Sequence, residues 1–186
     1  MAIEEPSYNV LVSEGNFELR RYASYVVAET TVEGDFEAVG NEGFRRLVGY
    51  IGGKNRKKES ISMTAPVSQE PASEKIAMTA PVSQTIENGR WRITFTMPST
   101  YTLDTLPTPD DDRVVLREEK AKTVAVIRYS GTWRKKRYED HAQKLMDWIS
   151  TKGWTVEGAP VWARYNSPFT PWFMRRNEIL IPVESQ

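Results

Sequence analysis

The sequence has no cysteine and a single histidine, His141. Without cysteine there are no disulfides, no thiolate metal ligands and no thiol nucleophile. One histidine cannot supply the usual ligand set of an all-protein zinc site. Charge of one sign is not in excess either, because 25 Lys plus Arg balance 25 Asp plus Glu. A neutral chain has no global field to draw it onto nucleic acid or an anionic membrane, so neither partner is expected. Long apolar runs are missing, and the start, with Glu4, Glu5 and Pro6, lacks the basic flank and apolar stretch of an export signal. A cytoplasmic location is the expectation. What the chain does have is core material: 39% hydrophobic residues, six Trp, eight Tyr and six Phe within 186 residues. That suffices for one compact domain spanning 1–186 and excludes disorder as the main state.

The chain reads as two similar halves. Residues 17–22 and 25–32 are rich in β-branched and aromatic side chains, which predicts strands. Gly34 and Asp35 break that pattern. Phe36, Val39, Phe44, Leu47, Val48 and Ile51 then recur at the spacing of an amphipathic helix, which Gly52 and Gly53 end. Strands are expected at 61–67 and 91–97. In the second half, 123–129 is a strongly apolar strand and Gly131 breaks it. Tyr138, His141, Ala142, Leu145, Trp148 and Ile149 form the second helical stripe, ended by Gly153. Residues 154–165, interrupted at Gly158 and Pro160, and 178–183 follow as strands. The two breaks, Gly34 and Gly131, lie 97 residues apart. A duplicated β-α-β-β unit is the reading, with pseudo-repeats at about 17–98 and 113–183 and a proline- and aspartate-rich linker over 99–112. One helix covers a small sheet poorly. Joined, the halves make an α+β fold, a curved antiparallel sheet or distorted barrel flanked by two helices, with a ligand site expected between them.

Several features carry candidate chemistry. The segments 61–69 and 76–84 nearly repeat each other around Met-Thr-Ala-Pro-Val, and read as edge or bulged strands in which Met63 and Met78 offer soft apolar walls. His141 lies on the apolar stripe of the second helix, where a hydrogen-bonded core imidazole competes with axial metal ligation. Basic clusters at 54–58 and 134–137 read as solvated charge, with contact to carboxylate or phosphate groups of a ligand as the alternative. The stretch 165–178 holds two prolines that stiffen a loop presenting Phe169, Trp172 and Phe173. Three large apolar residues on one loop cap a core, line a flat-ligand site or meet a protein partner. Strand alternation sets Arg176 and Glu178 on one face and Arg175 on the other. A carboxylate at Glu178 facing inward needs a cationic or hydrogen-bonding partner. No phosphate loop, HExxH or dinucleotide fingerprint occurs.

The turn at Gly52, Gly53, Lys54 and Asn55, the segments 63–67 and 78–82, and Tyr165-Asn-Ser-Pro with Arg175-Arg-Asn-Glu178 resemble the SOUL heme-binding family over nearly the whole chain. The resemblance implies a distorted antiparallel β-barrel with two helices, a fold shared with GyrI-like effector-binding domains. It implies non-catalytic binding of heme (b-type, non-covalent) or another tetrapyrrole as the small-molecule partner. It places the groove at Asn41, Phe44, Arg45 and Val48, with Met63, and under Phe169, Thr170, Pro171 and Trp172. Where some relatives have a proposed heme-ligating histidine this chain has Arg21, and propionate-facing basic residues of relatives fall at Asn41, Gly49 and Thr170. Binding here is therefore expected to rest on apolar contact, with weak or no axial ligation and Arg45 available to a propionate. The alternative reading is a GyrI-like site for lipophilic cations, or a hydrolase, centred on Glu178 and Arg176.

Overall fold

The computed structural model describes residues 3–57 and 73–184. In chain order its elements are β1 (Tyr8–Glu14), β2 (Phe17–Tyr22), β3 (Tyr25–Val32), α1 (Phe36–Ile51) and β4 (Asn55–Arg56). There follow β5 (Val82–Glu87), β6 (Arg90–Thr96), β7 (Thr108–Pro109), β8 (Val114–Glu119) and β9 (Lys122–Tyr129). The chain ends with α2 (Lys135–Lys152), β10 (Thr155–Val156), β11 (Val161–Arg164), a 3-10 turn at Trp172–Met174 and β12 (Asn177–Glu184). The fold is α+β: one curled antiparallel sheet flanked by two helices. The helical stripes and most strands lie where the sequence pattern predicts. The expected strand at 61–67 lies outside the described residues, and regular pairing in the second Met-Thr-Ala-Pro-Val segment begins only at Val82. The sequence pattern predicts no strand at β1 or β8. Among the described residues no helix is long and apolar enough to cross a membrane.

The main sheet runs β1-β2-β9-β12-β11-β5-β6-β3-β8, with β10 on β12. Read inward from either end, the order is alike. β2 lies beside β9, β12 and β11 in one half, and β8 beside β3, β6 and β5 in the other. Each half thus receives its outer partner strand from the other: β2 pairs β9, and β8 pairs β3. The halves join at the β11–β5 ladder, where Trp162 faces Gln84 and Arg164 faces Val82.

Alternation along the strands sorts two faces. On the helix side, α1 covers Ala28, Ile93, Phe95 and Val114, and α2 covers Ala125, Ile127, Ile179 and Ile181. Phe36 bridges the two cores by stacking on Trp162, with ring centroids 4.9 Å apart. The helix breaks are alike: Gly34 and Gly131 both have positive φ, 136° and 127°. Gly153 ends α2 in the left-handed conformation, φ 69°. α1 ends differently, with Gly52 still right-handed and only Gly53 turning to φ 117°.

Candidate functional site

At the seam of the halves, on the helix side, lies a pocket of about 160 Å³. Gly40, Asn41 and Phe44 of α1 form one wall, and Val82, Gln84, Ile93 and Arg164 from β5, β6 and β11 form the floor. Trp133, from the segment before α2, and Asn166 and Pro168, after β11, close it. The helix approaches the floor closely because residue 40 has no side chain. A Cβ there would sit 3.3 Å from both Arg164 Nη2 and Gln84 Oε1.

The C-terminal motif builds the rim. Asn177 is fully buried; its Oδ1 accepts the Trp133 indole N–H at 2.8 Å and its amide donates to the Gly131 carbonyl at 3.1 Å. This fixes the indole at the pocket edge. Arg175 lies 4.2 Å from the centroid of that indole and donates to the carbonyls of Thr170 and Pro168, both at 2.8 Å. Asn166 Oδ1 accepts the Arg176 backbone N–H at 2.6 Å. The base of the 166–174 loop is therefore pinned, while its tip stands in solvent. Phe169 is 96% exposed, and Trp172, Phe173 and Met174 are exposed beside it. Trp172 and Phe173 meet edge to face at 5.6 Å.

The sequence-predicted groove residues fall into three groups. Asn41 and Phe44 line the pocket, with Phe44 packed edge-on against Phe95. Arg45 and Val48 are exposed one turn along α1, on the helical face that Asn41 and Phe44 begin. Phe169, Thr170, Pro171 and Trp172 belong to the loop above, and Met63 lies outside the described residues. Sequence reading missed Trp133, Gln84 and Arg164. The signal for Arg164 was present, since alternation in Val161–Arg164 puts it on the same face as Trp162.

His141 is elsewhere. Its ring stacks on Tyr129 at 4.0 Å and its Nδ1–H donates to the Arg137 carbonyl at 2.7 Å. Burial holds its pKa below the usual value, and it does not line the pocket. Arg21 is exposed on β2, beside a separate depression lined by Thr123 and Glu157. Among the described residues no group of three or more His, Asp or Glu converges as a metal site.

Glu178 faces the other side of the sheet and is fully buried. Arg20 donates to both its oxygens, at 2.8 and 3.0 Å, Tyr165 donates its hydroxyl at 2.7 Å, and Arg176 donates at 2.9 Å. Burial alone would raise this carboxyl's pKa; the hydrogen bond and charge of Arg20, then Arg176 and Tyr165, outweigh it and hold the pKa below the usual range. The carboxylate at the centre of the cation-binding alternative is thus already spent on two guanidinium groups. The nearby cavity is about 40 Å³ and is lined by Tyr22, Tyr25 and Tyr165 rather than by Glu178.

Comparison with known proteins comes to the same architecture. The model of a family described as SOUL heme-binding protein matches residues 3–182. "Heme-binding protein 1" of Xenopus laevis is 27% identical over 177 residues, covering 91% of this chain and 87% of that protein. "Heme-binding protein 2" of Mus musculus is 27% identical over 192 residues, covering 95% and 88%. Among solved structures, the EcmrR C-terminal domain superposes with a TM-score of 0.60 at 13% identity, covering 96% of this chain and 99% of that one. At that identity the likeness concerns the fold alone.

Proposed function

The chain belongs to the SOUL heme-binding protein family, and from that membership we propose that it binds heme or a related tetrapyrrole, without catalysis, across the groove between α1 and the 166–174 loop. One observation carries the reading: four large apolar side chains, Phe169, Trp172, Phe173 and Met174, stand exposed on a loop whose base is pinned beside an aromatic pocket. Contiguous exposed apolar surface of this kind is a binding surface on a soluble protein. A pocket of 160 Å³ is smaller than the roughly 300–1,000 Å³ that encloses a drug-sized ligand. The macrocycle therefore lies over the pocket mouth, against Phe44 and Val48 below and Trp172 above, rather than inside it. Arg45 is exposed, while its neighbour Arg46 is the one that pairs with Glu42, and Arg45 is available to a propionate. Attachment is non-covalent, because a chain without cysteine forms no thioether to a porphyrin. Iron ligation contributes little, since His141 is stacked on Tyr129 away from the pocket. The family's description favours a carrier of that ligand.

Titration with hemin tests this. Saturable quenching of Trp fluorescence with a perturbed Soret band at about one hemin per chain is expected, and protoporphyrin should bind comparably. Phe44→Ala and Trp172→Ala should each weaken binding about ten-fold, more than His141→Ala. No saturable binding at micromolar hemin overturns the proposal; the reverse order of mutant effects overturns the absence of ligation.

A further inference from the structure

The pocket floor contains a charge that the groove reading leaves unused. Guanidinium groups buried against this sheet are otherwise matched. Arg20 is paired with Glu18 and Glu178, Arg92 with Glu29 and Glu119, and Arg176 with Glu5 and Glu178. Arg164 has no carboxylate partner among the described residues. Its Nη2 donates to Gln84 Oε1 at 3.0 Å, while its Nε is buried with no acceptor. Gln84 in turn is fixed by donating its amide to the Phe36 carbonyl at 3.1 Å. Aromatic faces hold the group in place: the guanidinium carbon is 3.9 Å from the Trp162 centroid and 5.0 Å from that of Trp133. Those contacts compensate a buried cation only in part. Its pKa is accordingly lowered to about 10, through burial.

We infer that the seam pocket is a carboxylate subsite, in which Arg164 receives the acid group of a slim apolar arm while Phe44, Val82, Ile93 and Trp133 enclose the arm itself. Charge complementarity selects the ligand class. The pocket supplies a pre-positioned, incompletely bonded guanidinium on the floor of a partly apolar pocket, and no acidic side chain lines it. The size fits a side arm and excludes a whole ring. On the tetrapyrrole reading, on which this part rests, a propionate enters the pocket while the macrocycle stays on the surface above.

Two pairs of probes test the subsite. In the first, 4-phenylbutyrate and 4-phenylbutan-1-ol are titrated by NMR, reading the Trp133 indole N–H, assigned with Trp133→Phe. The acid should shift it saturably and bind at least about ten-fold tighter than the alcohol, the weight of one charge-assisted pair. Arg164→Met should abolish that preference and Arg164→Lys should restore part of it. In the second, hemin is compared with its dimethyl ester; the wild type should prefer the free acid, and Arg164→Met should lose most of that preference, the remainder being what Arg45 contributes. Without ligand, Arg164→Met should melt no lower than the wild type, because it removes a half-buried charge that is only partly compensated. Equal binding of acid and alcohol, an unchanged preference in Arg164→Met, or a markedly lower melting point of that variant would each overturn the inference. If 4-phenylbutyrate binds through Arg164 but hemin does not bind at all, the subsite stands and the tetrapyrrole proposal fails. If hemin binds with no dependence on its acid groups, the reverse holds.

Discussion

A buried carboxylate can serve a ligand or hold a fold, and at Glu178 the count of partners decides. Two guanidinium groups and a phenol saturate it, and Arg20, only 2% exposed, depends on it for charge balance. Removing Glu178 leaves Arg20 with only the partly exposed Glu18 and Arg176 with Glu5, so the buried cations lose the anion they share, and breaking a buried pair is costly. Glu178→Gln should therefore cost about 3–5 kcal/mol, seen as a melting point lower by roughly 6–20 °C; a change within about 2 °C would show the network to be dispensable. The pH dependence has a definite sign. The folded pKa lies below the unfolded value of about 4.3, so the network's contribution is present above that pH and is lost as pH falls through the folded pKa. Urea midpoints measured from pH 6 down to pH 2 should fall for the wild type, and fall less for Glu178→Gln. Parallel curves would remove Glu178 from the acid response.

The two helices depend on glycine for different reasons. At Gly153 the requirement is conformational: φ is 69°, and a Cβ there would meet nothing within 4 Å. Gly153→Ala should cost about 1 kcal/mol through backbone strain alone, lowering the melting point by about 2–4 °C. At Gly43 the requirement is space. A Cβ would come within 2.8–2.9 Å of three Ile93 carbons, so α1 lies on β6 only because that residue is bare. Gly43→Ala should cost about 1–3 kcal/mol by overpacking, and adding Ile93→Val should recover part of it in a double-mutant cycle. Strict additivity of the two changes would argue that the helix rests elsewhere. Because Gly40 and Phe44 flank Gly43 on α1, a displaced helix also reshapes the pocket wall, so weaker ligand binding should accompany the lost stability.

For the whole molecule, the exchange of β2 and β8 between halves has an energetic consequence. Neither half completes its sheet alone, and Phe36 and the β11–β5 ladder tie the two cores together. Unfolding should be cooperative across the chain. Far-UV circular dichroism and Trp fluorescence should give coincident urea transitions, with Trp91 and Trp162 reporting on both cores. Two resolved transitions would show the halves to be independent. The same joining places the pocket, since its floor needs β5 and β6 from one half and β11 from the other.

Periodicity alone located both helices, the more buried strands β2, β3, β6, β9, β11 and β12, and the buried face of α1 carrying Val39 and Leu47, because local hydrophobic spacing reports which side of an element is buried. Motif content added the family and the loop with Phe169 and Trp172. Neither β1 nor β8 was legible: their side chains are largely exposed or charged, and their pairing is fixed by partners far along the chain. Partner choice among charges was equally hidden. Arg20, Arg164 and Arg176 are the same residue type in or beside strands, yet two meet Glu178 and one meets only Gln84 and aromatic rings. The sequence by itself determined which faces are apolar; the tertiary structure decided which charges are paired with a carboxylate and which is not, because ion pairing depends on distances between strands that no local pattern encodes.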